Sequence, residues 1–579
     1  MPKQQLTHDA AYKYALWQSL FCKAQDRQKR EIRRVNHDTF VRNVGFSLVK
    51  AILPQRTPRS CCISGMCGRD SMMRKGVRFG RPEVEILNKG RDDVLQCLSH
   101  STACLGGPVD LRVRGYCSVP LLTDDGFAGL RCLLRHTRLK SVIFSDVLAL
   151  PDAQQVVNEI SNAMACEQNK IEYLSLENLP RHVNLGSVFV SAAAANTLME
   201  LRLENCGLHD VAALGRCVTI LKGLRRLSLR GNEGISKQIT LLADIIGSCE
   251  QLQTLDIAFC QLEDEHIEQF LSHTETFTRR EKFALNVSNN DLSGHSLACF
   301  RYAPLAFCNA LSELDISGHD FACAGMGIEA MLLSCDALHG IALDQCNIGV
   351  RDMQKICRAL GRMGRRWNLL SFCENNLAMT EVKRLVPSSF AMGSRLCLSG
   401  NKIGVGLHGL NVAGMIALLG ELDLRSCNVR EEGLLQLASA IEKAGCVPLR
   451  VLRLDNNGVW SRGAWDKGGL QFLGRALRAR RAPCLEVLSL SKNELLLRPL
   501  LTLLEQVSCT LRELHVSHSP ITDDMSDLLG CLIRRQGGSN AFRHIDIWAL
   551  SRADDVSFTG ESQKWLEGQR AVRIITEVK

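Results

Sequence analysis

The chain has 579 residues, 46% of them apolar and 23% charged, with a net charge of +9. That length holds several globular domains or one long repeat array, and no apolar run reaches the roughly 18 residues of a membrane-spanning helix. The start, MPKQQLTHDAAYKYALWQSLF, lacks the charged start, apolar core and cleavage site of a secretory signal, and Asp9, Asp26 and Glu31 argue against a mitochondrial presequence. The 26 cysteines, without an export signal, are therefore expected as reduced thiols in a cytoplasmic setting.

The positive charge sits at the N-terminus. Residues 1–60 hold 12 Lys and Arg against 4 Asp and Glu, and residues 61–90 hold 6 against 3, so the rest of the chain is close to neutral. Residues 8–35 are expected as a helix, with Tyr12, Leu16, Leu20 and Ala24 recurring every fourth residue beside Trp17 and Phe21. Its second half carries Arg27, Lys29, Arg30, Arg33 and Arg34. A second apolar segment, FVRNVGFSLVKAIL, follows at 40–53. Two compatible roles suit this extension of residues 1–60: a cap on the open end of an array, or a basic anchor for an acidic partner such as tubulin tails, an anionic membrane surface or nucleic acid.

Residues 61–107 are expected as a linker and array-leading segment. Cys61, Cys62 and Cys67 have no second ligand pair or histidines nearby, so a flexible segment is expected there rather than zinc. The stretch RPEVEILNKGRDDVLQCL at 81–98 faintly resembles an F-box and is expected as a leading helix.

From residue 108 to 550 one pattern recurs. LMELRLENCGL at Leu198 is echoed by LRRLSLRGN at Leu224, LQTLDIAFCQL at Leu252, LSELDISGHDF at Leu311 and LHGIALDQCNI at Leu338. It continues with WNLLSFCENNL at Trp367, LGELDLRSCNV at Leu419, LRVLRLDNNGV at Leu449, LEVLSLSKNEL at Leu485 and LRELHVSHSPI at Leu511. Weaker copies start at Leu139, Ile171, Lys282, Gly393 and Phe542, and PVDLRV at Pro108 is a candidate sixteenth. Successive starts lie 26 to 36 residues apart.

This pattern resembles the leucine-rich repeat, L-x-x-L-x-L-x-x-N/C-x-L, and its period resembles the ribonuclease-inhibitor-like subclass. The resemblance implies an α/β solenoid, a curved parallel strand ladder inside and helices outside. The physics agrees. Alternation such as Leu201 and Leu203 buries one face of a short strand, and the helical stretch at 430–445 carries a stripe of Leu434, Leu435, Leu437, Ala440 and Ile441. Neither element buries its apolar face alone, and stacking does so for both. The resemblance also assigns the inward-turning ninth position. Asn232, Asn290, Asn375, Asn401, Asn457 and Asn493 fill it in some copies, Cys206, Cys260, Cys346 and Cys427 in others, and His319 in one. These cysteines are expected to be packing residues with a weak S–H donor, not metal ligands or redox groups.

The fifth and seventh positions of each copy are expected on the inner face. Across fifteen copies they include ten serines and a single aromatic residue, Trp548. Charged members include Arg202, Glu204, Arg230, Asp256, Asp315, Asp344, Asp423, Arg425, Arg453, Asp455 and Asp546. The face is either solvated or holds an extended protein partner on mixed charges, with Arg202, Arg230, Arg425 and Arg453 as anchors. The longest interval, 449 to 485, places Trp460 and Trp465 in a loop that either contacts a partner or folds back on its own repeats. Residues 551–579 are expected as a C-terminal cap or tail.

The phosphate loop G-x-x-x-x-G-K-[ST] and the motifs H-E-x-x-H and G-x-S-x-G are not found in the sequence. A non-enzymatic protein-binding scaffold without cofactor or metal is expected, in a cytoskeletal or ciliary setting suggested by the basic arm. Two alternatives follow from resemblance. One is a GTPase activator of the leucine-rich-repeat type, although GQRAVRIITEVK at the end lacks the acidic tail common there. The other is a ubiquitin-ligase substrate receptor.

Overall fold

The computed structural model describes residues 138–145, 153–276, 282–459, 468–507 and 511–516 apart from a few positions, with Arg131, Leu134 and four further strands. The expectations for residues 1–60, including Arg27, Lys29, Arg30, Arg33 and Arg34, lie outside the described residues. So do those for Cys61, Cys62, Cys67, Trp460 and Trp465. The chain divides into two compact units, one up to Cys206 with Lys579, the other Gly207–Val578.

In the first unit, β1 (Glu83–Leu87), β2 (Val109–Arg114), β3 (Leu139–Ser145), β4 (Tyr173–Glu177) and β5 (Glu200–Glu204) pair in parallel, each with the next. One column of fourth-position residues runs through the register: Val84, Leu111, Val142, Leu174 and Leu201. Helices α1 (Ala153–Ala165) and α2 (Gly186–Ala195) follow β3 and β4.

The ladder begins earlier than residue 108, because 83–87 is a strand where a leading helix was expected. The reason is local. Glu83, Val84, Glu85 and Ile86 alternate polar and apolar, a period of two that suits a strand with one buried face. Likewise Val572–Ile575, within the stretch expected as a cap or tail, is β18, paired in parallel with β17.

The second unit repeats the plan. Its strands are β6 (Arg226–Ser228), β7 (Thr254–Asp256), β8 (Phe283–Asn286), β9 (Leu311–Asp315), β10 (Gly340–Ala342), β11 (Trp367–Ser371) and β12 (Phe390–Cys397). They continue as β13 (Leu419–Asp423), β14 (Val451–Arg453), β15 (Val487–Ser489), β16 (Glu513–His515), β17 (Ile545–Trp548) and β18 (Val572–Ile575). The apolar column runs Leu227, Leu255, Leu285, Leu314, Ile341, Leu370, Leu396, Leu422, Leu452, Leu488, Leu514, Ile547 and Ile574, all in parallel register. From Leu227 to Leu514 these side chains are at most 4% exposed. Each such burial contributes about 1.5–3 kcal/mol, which is what pins the register.

The intervening helices are α3 (Val211–Val218), α4 (Ile239–Ser248), α5 (Asp264–Ser272), α6 (Gly294–Cys299), α7 (Leu305–Ala310) and α8 (Gly325–Ser334). After these come α9 (Val350–Arg362), α10 (Met379–Val382), α11 (Leu410–Ile416), α12 (Arg430–Ala444), α13 (Gly469–Ala476) and α14 (Leu497–Gln506). Helix α12 buries Leu434, Leu437, Ala440 and Ile441 of the expected stripe, while Leu435 is only partly buried. No described helix is long and apolar enough to cross a membrane.

Each unit is thus a stack of strand–turn–helix repeats around a shared leucine core, the α/β leucine-rich-repeat solenoid. Its turn is uniform. Position 8 is left-handed in twelve successive copies from Asn178 to Lys492, with φ between 52° and 78°. That conformation swings the chain out of the strand, and the position-9 side chain follows inward. Glycine fills it at three of these positions; at Gly318 an added Cβ would also clash with the Asn289 side chain.

Candidate binding surface at the strand ends

Backbone hydrogen bonding at the strand ends determines which side chains remain for a partner. The position-6 N–H donates to the next copy's position-5 carbonyl, as Leu424 does to Arg453 at 2.9 Å. The position-8 N–H donates to the next copy's position-7 carbonyl, as Ser426 does to Asp455 at 2.8 Å. The position-6 carbonyl is taken by the next copy's position-9 side chain. Asn457 Nδ2 donates to Leu424 O at 2.8 Å, Asn493 Nδ2 to Leu454 O at 2.9 Å, and Cys427 Sγ to Leu398 O at 3.0 Å.

The asparagine carbonyl oxygen works equally hard. Asn457 Oδ1 accepts from Cys427 N at 2.9 Å and Val429 N at 3.1 Å. Asn290, Asn375 and Asn401 accept the corresponding pair from their own preceding copies. Cys206, Cys260 and Cys346 donate to the position-6 carbonyls of Leu176, Leu229 and Ile316 at 3.1, 3.3 and 3.3 Å. Burial pushes all four motif thiols up to about 12. With each sulfur spent on a backbone carbonyl, these groups are structural donors.

Because position 9 takes the position-6 carbonyl, the position-7 N–H has no strand partner. Inner-face side chains fill the vacancy. Asp256 accepts from Ala258 N at 3.0 Å, Asn286 from Ser288 N at 2.9 Å, Asp315 from Ser317 N at 3.0 Å and Asp423 from Arg425 N at 3.1 Å. Elsewhere the carboxylate comes from the preceding copy. Asp344 accepts from Cys373 N and Ser371 Oγ, both at 2.6 Å, and Asp455 from Ser491 N at 2.7 Å and Ser489 Oγ at 2.5 Å. Much of the polar face thus completes the backbone.

Three of the four arginine anchors are already committed. Arg202 Nε and Nη2 lie 2.8 and 2.7 Å from Glu200 Oε1, with the guanidinium 5.6 Å from the Tyr173 ring centroid. Arg425 grips buried Asp423 through Nε and Nη2 at 3.0 and 2.7 Å. Arg453 pairs with Glu421. Trp548 lies in β17, its side chain outside the described residues.

Arg230 differs. No carboxylate among the described residues pairs with it, and its guanidinium sits 4.4 Å from the centroid of the Phe259 ring. Phe259 is 45% exposed and holds the left-handed position 8 with φ 56°. The other copies place Asn, Gly, Gln, Glu, Ser or Lys there. A bulky side chain in that conformation costs about 1–2 kcal/mol. Counting only positions 5 and 7 misses Phe259; the signal was an aromatic residue at a site held elsewhere by turn formers. Beyond it, positions 3, 5 and 7 of the copies at 252, 282, 311 and 338 carry Asp256, Glu313, Asp315 and Asp344 and no Lys or Arg.

The family described as Leucine Rich repeat matches residues 507–524. Among solved structures the chain is similar to an internalin (inlF) from Listeria monocytogenes, at 15% identity over 63% of this chain and 77% of that one, with a TM-score of 0.28. No curated protein matches in sequence. The fold rests on the strand pairing and recurring side-chain roles above, not on that likeness.

Proposed function

We propose that the chain is a non-enzymatic protein-interaction scaffold, with Arg230 and Phe259 as the anchor of its partner site. The single observation that carries this is the exposed, strained Phe259 ring under an arginine that has no carboxylate partner among the described residues. Stability favours a turn former there, while arginine and aromatic rings are the side chains on which interface energy concentrates. Next to this anchor lies the acidic stretch of Asp256, Glu313, Asp315 and Asp344, so the partner segment is extended and carries basic residues.

The basic charge of residues 1–60 supports a second contact, with Arg27, Lys29, Arg30, Arg33 and Arg34 facing an acidic partner such as tubulin. That contact would place the protein at the cytoskeleton or cilium. The GTPase activator and the ubiquitin-ligase receptor are the rivals.

Affinity purification of the full chain and of its Arg230→Glu variant tests the reading. Loss of the partner held at Arg230 and Phe259 is expected from the variant, with cytoskeletal proteins held through residues 1–60 retained. Unchanged partners, or a small GTPase or cullin adaptor as the main capture, would overturn it.

A further inference from the structure

Helices α5 and α6 belong to successive repeats and are locked in register at their starts. Asp264, the first residue of α5, accepts the Ser293 backbone N–H at 2.8 Å and also the Ser293 hydroxyl. Ser293 is the N-cap of α6 and itself accepts the His295 N–H at 3.1 Å. One turn along α5 from Asp264 stands Glu268. On α6, His295 and Cys299 are four residues apart and so share a face. A carboxylate oxygen of Glu268, a ring nitrogen of His295 and Sγ of Cys299 all lie within 4.8 Å of one another.

None of these three side chains has a hydrogen-bond or ion-pair partner among the described residues. His295 and Glu268 are exposed, whereas Cys299 is 8% exposed. A carboxylate, an imidazole and a thiol facing one another gain little as they stand, since the thiol gives only a weak hydrogen bond. The same three donor types are those that hold zinc, at about 2.0–2.3 Å each. The Asp264–Ser293 clamp ties together the starts of the helices that carry them.

We propose that Glu268, His295 and Cys299 form a zinc site that staples α5 to α6. Three protein donors leave the fourth tetrahedral position to water on the solvent side. Binding forms the Zn–S bond as the Cys299 S–H bond breaks, and the proton leaves to solvent. Burial and the Glu268 carboxylate push the free thiol upward, so the ion, not the apo site, supplies the thiolate. The four motif cysteines take no part, because their sulfurs already bond the ladder backbone.

The test uses the full chain stripped by a chelator and titrated with zinc and with cobalt(II). Zinc should raise the melting temperature, and cobalt should give sulfur-to-metal charge-transfer absorption. Cys299→Ala should abolish that absorption. Glu268→Gln and His295→Ala change exposed residues, so folding is retained, and each should weaken binding about tenfold or more. Binding of equal strength in wild type and in both exposed-site variants would overturn the proposal, as would no zinc stabilisation of the wild type.

Discussion

The backbone N–H of Asn290 donates to Nε2 of His319 across 3.1 Å, while Nδ1 of the same ring lies 2.9 Å from the Ile316 carbonyl. Both bonds hold only for a neutral ring with its proton on Nδ1. His319 thus takes over part of an asparagine's role: Nε2 accepts the preceding copy's position-9 N–H and Nδ1 donates to its own position-6 carbonyl. Burial lowers its pKa, against the opposing pull of Asp315, Asp291 and Asp264. In the unfolded chain the ring titrates near 6.5, about the usual value. As pH falls below that, the unfolded state takes the proton first, so this contribution is full above about 6.5 and lost on acidification. Chemical denaturation at a series of pH values should show a shallower acid decline for His319→Asn than for wild type. Parallel declines would contradict the assignment.

Asn457 makes four bonds from one amide, to Cys427 N, Val429 N, Leu424 O and Asp455 O. Asn457→Ala leaves several of those groups buried without partners, each costing about 1–3 kcal/mol. Asn457→Cys keeps a donor for Leu424 O and should lose less. Denaturation midpoints should rank wild type, Cys, Ala, and an Ala variant equal to wild type would contradict the ladder account.

Cys206→Ser should cost about 1 kcal/mol or more, because a hydroxyl on the shorter C–O bond pairs imperfectly with carbonyls placed for a thiol and is costly to bury. The thiol it replaces is 2% exposed and bonds Leu176 O and Glu204 O. Elemental analysis should show the same metal content in the variant and the wild type. Zinc lost with Cys206 would contradict its structural role.

The leucine column was legible because register follows from it. Once Leu227, Leu255 and Leu285 must share a face, parallel pairing and outer helices are the remaining way to cover them. The part played by the inner aspartates was not legible. Asp423, at position 5, caps its own strand, whereas Asp344, at position 7, caps the next. That vacancy at position 7 exists only after position 9 of the following copy takes a carbonyl, a relation no single repeat displays. Arg425 and Arg453 looked like free anchors because their acidic neighbours were counted as separate charges. His295 and Cys299 share HSLAC, but their third companion, Glu268, lies one repeat earlier and meets them only when the helices stack.

The central claim is that Phe259 is kept for a partner at a cost to the fold. Phe259→Asn places a turn former at φ 56°, where Asn178, Asn205, Asn289 and Asn456 already sit in other copies. Stability and partner capture of this variant, measured side by side on the full chain, test the claim most directly. The account predicts a gain of about 1 kcal/mol in stability together with clear loss of the main captured partner. A variant that captures that partner as well as wild type would contradict it, whatever its stability.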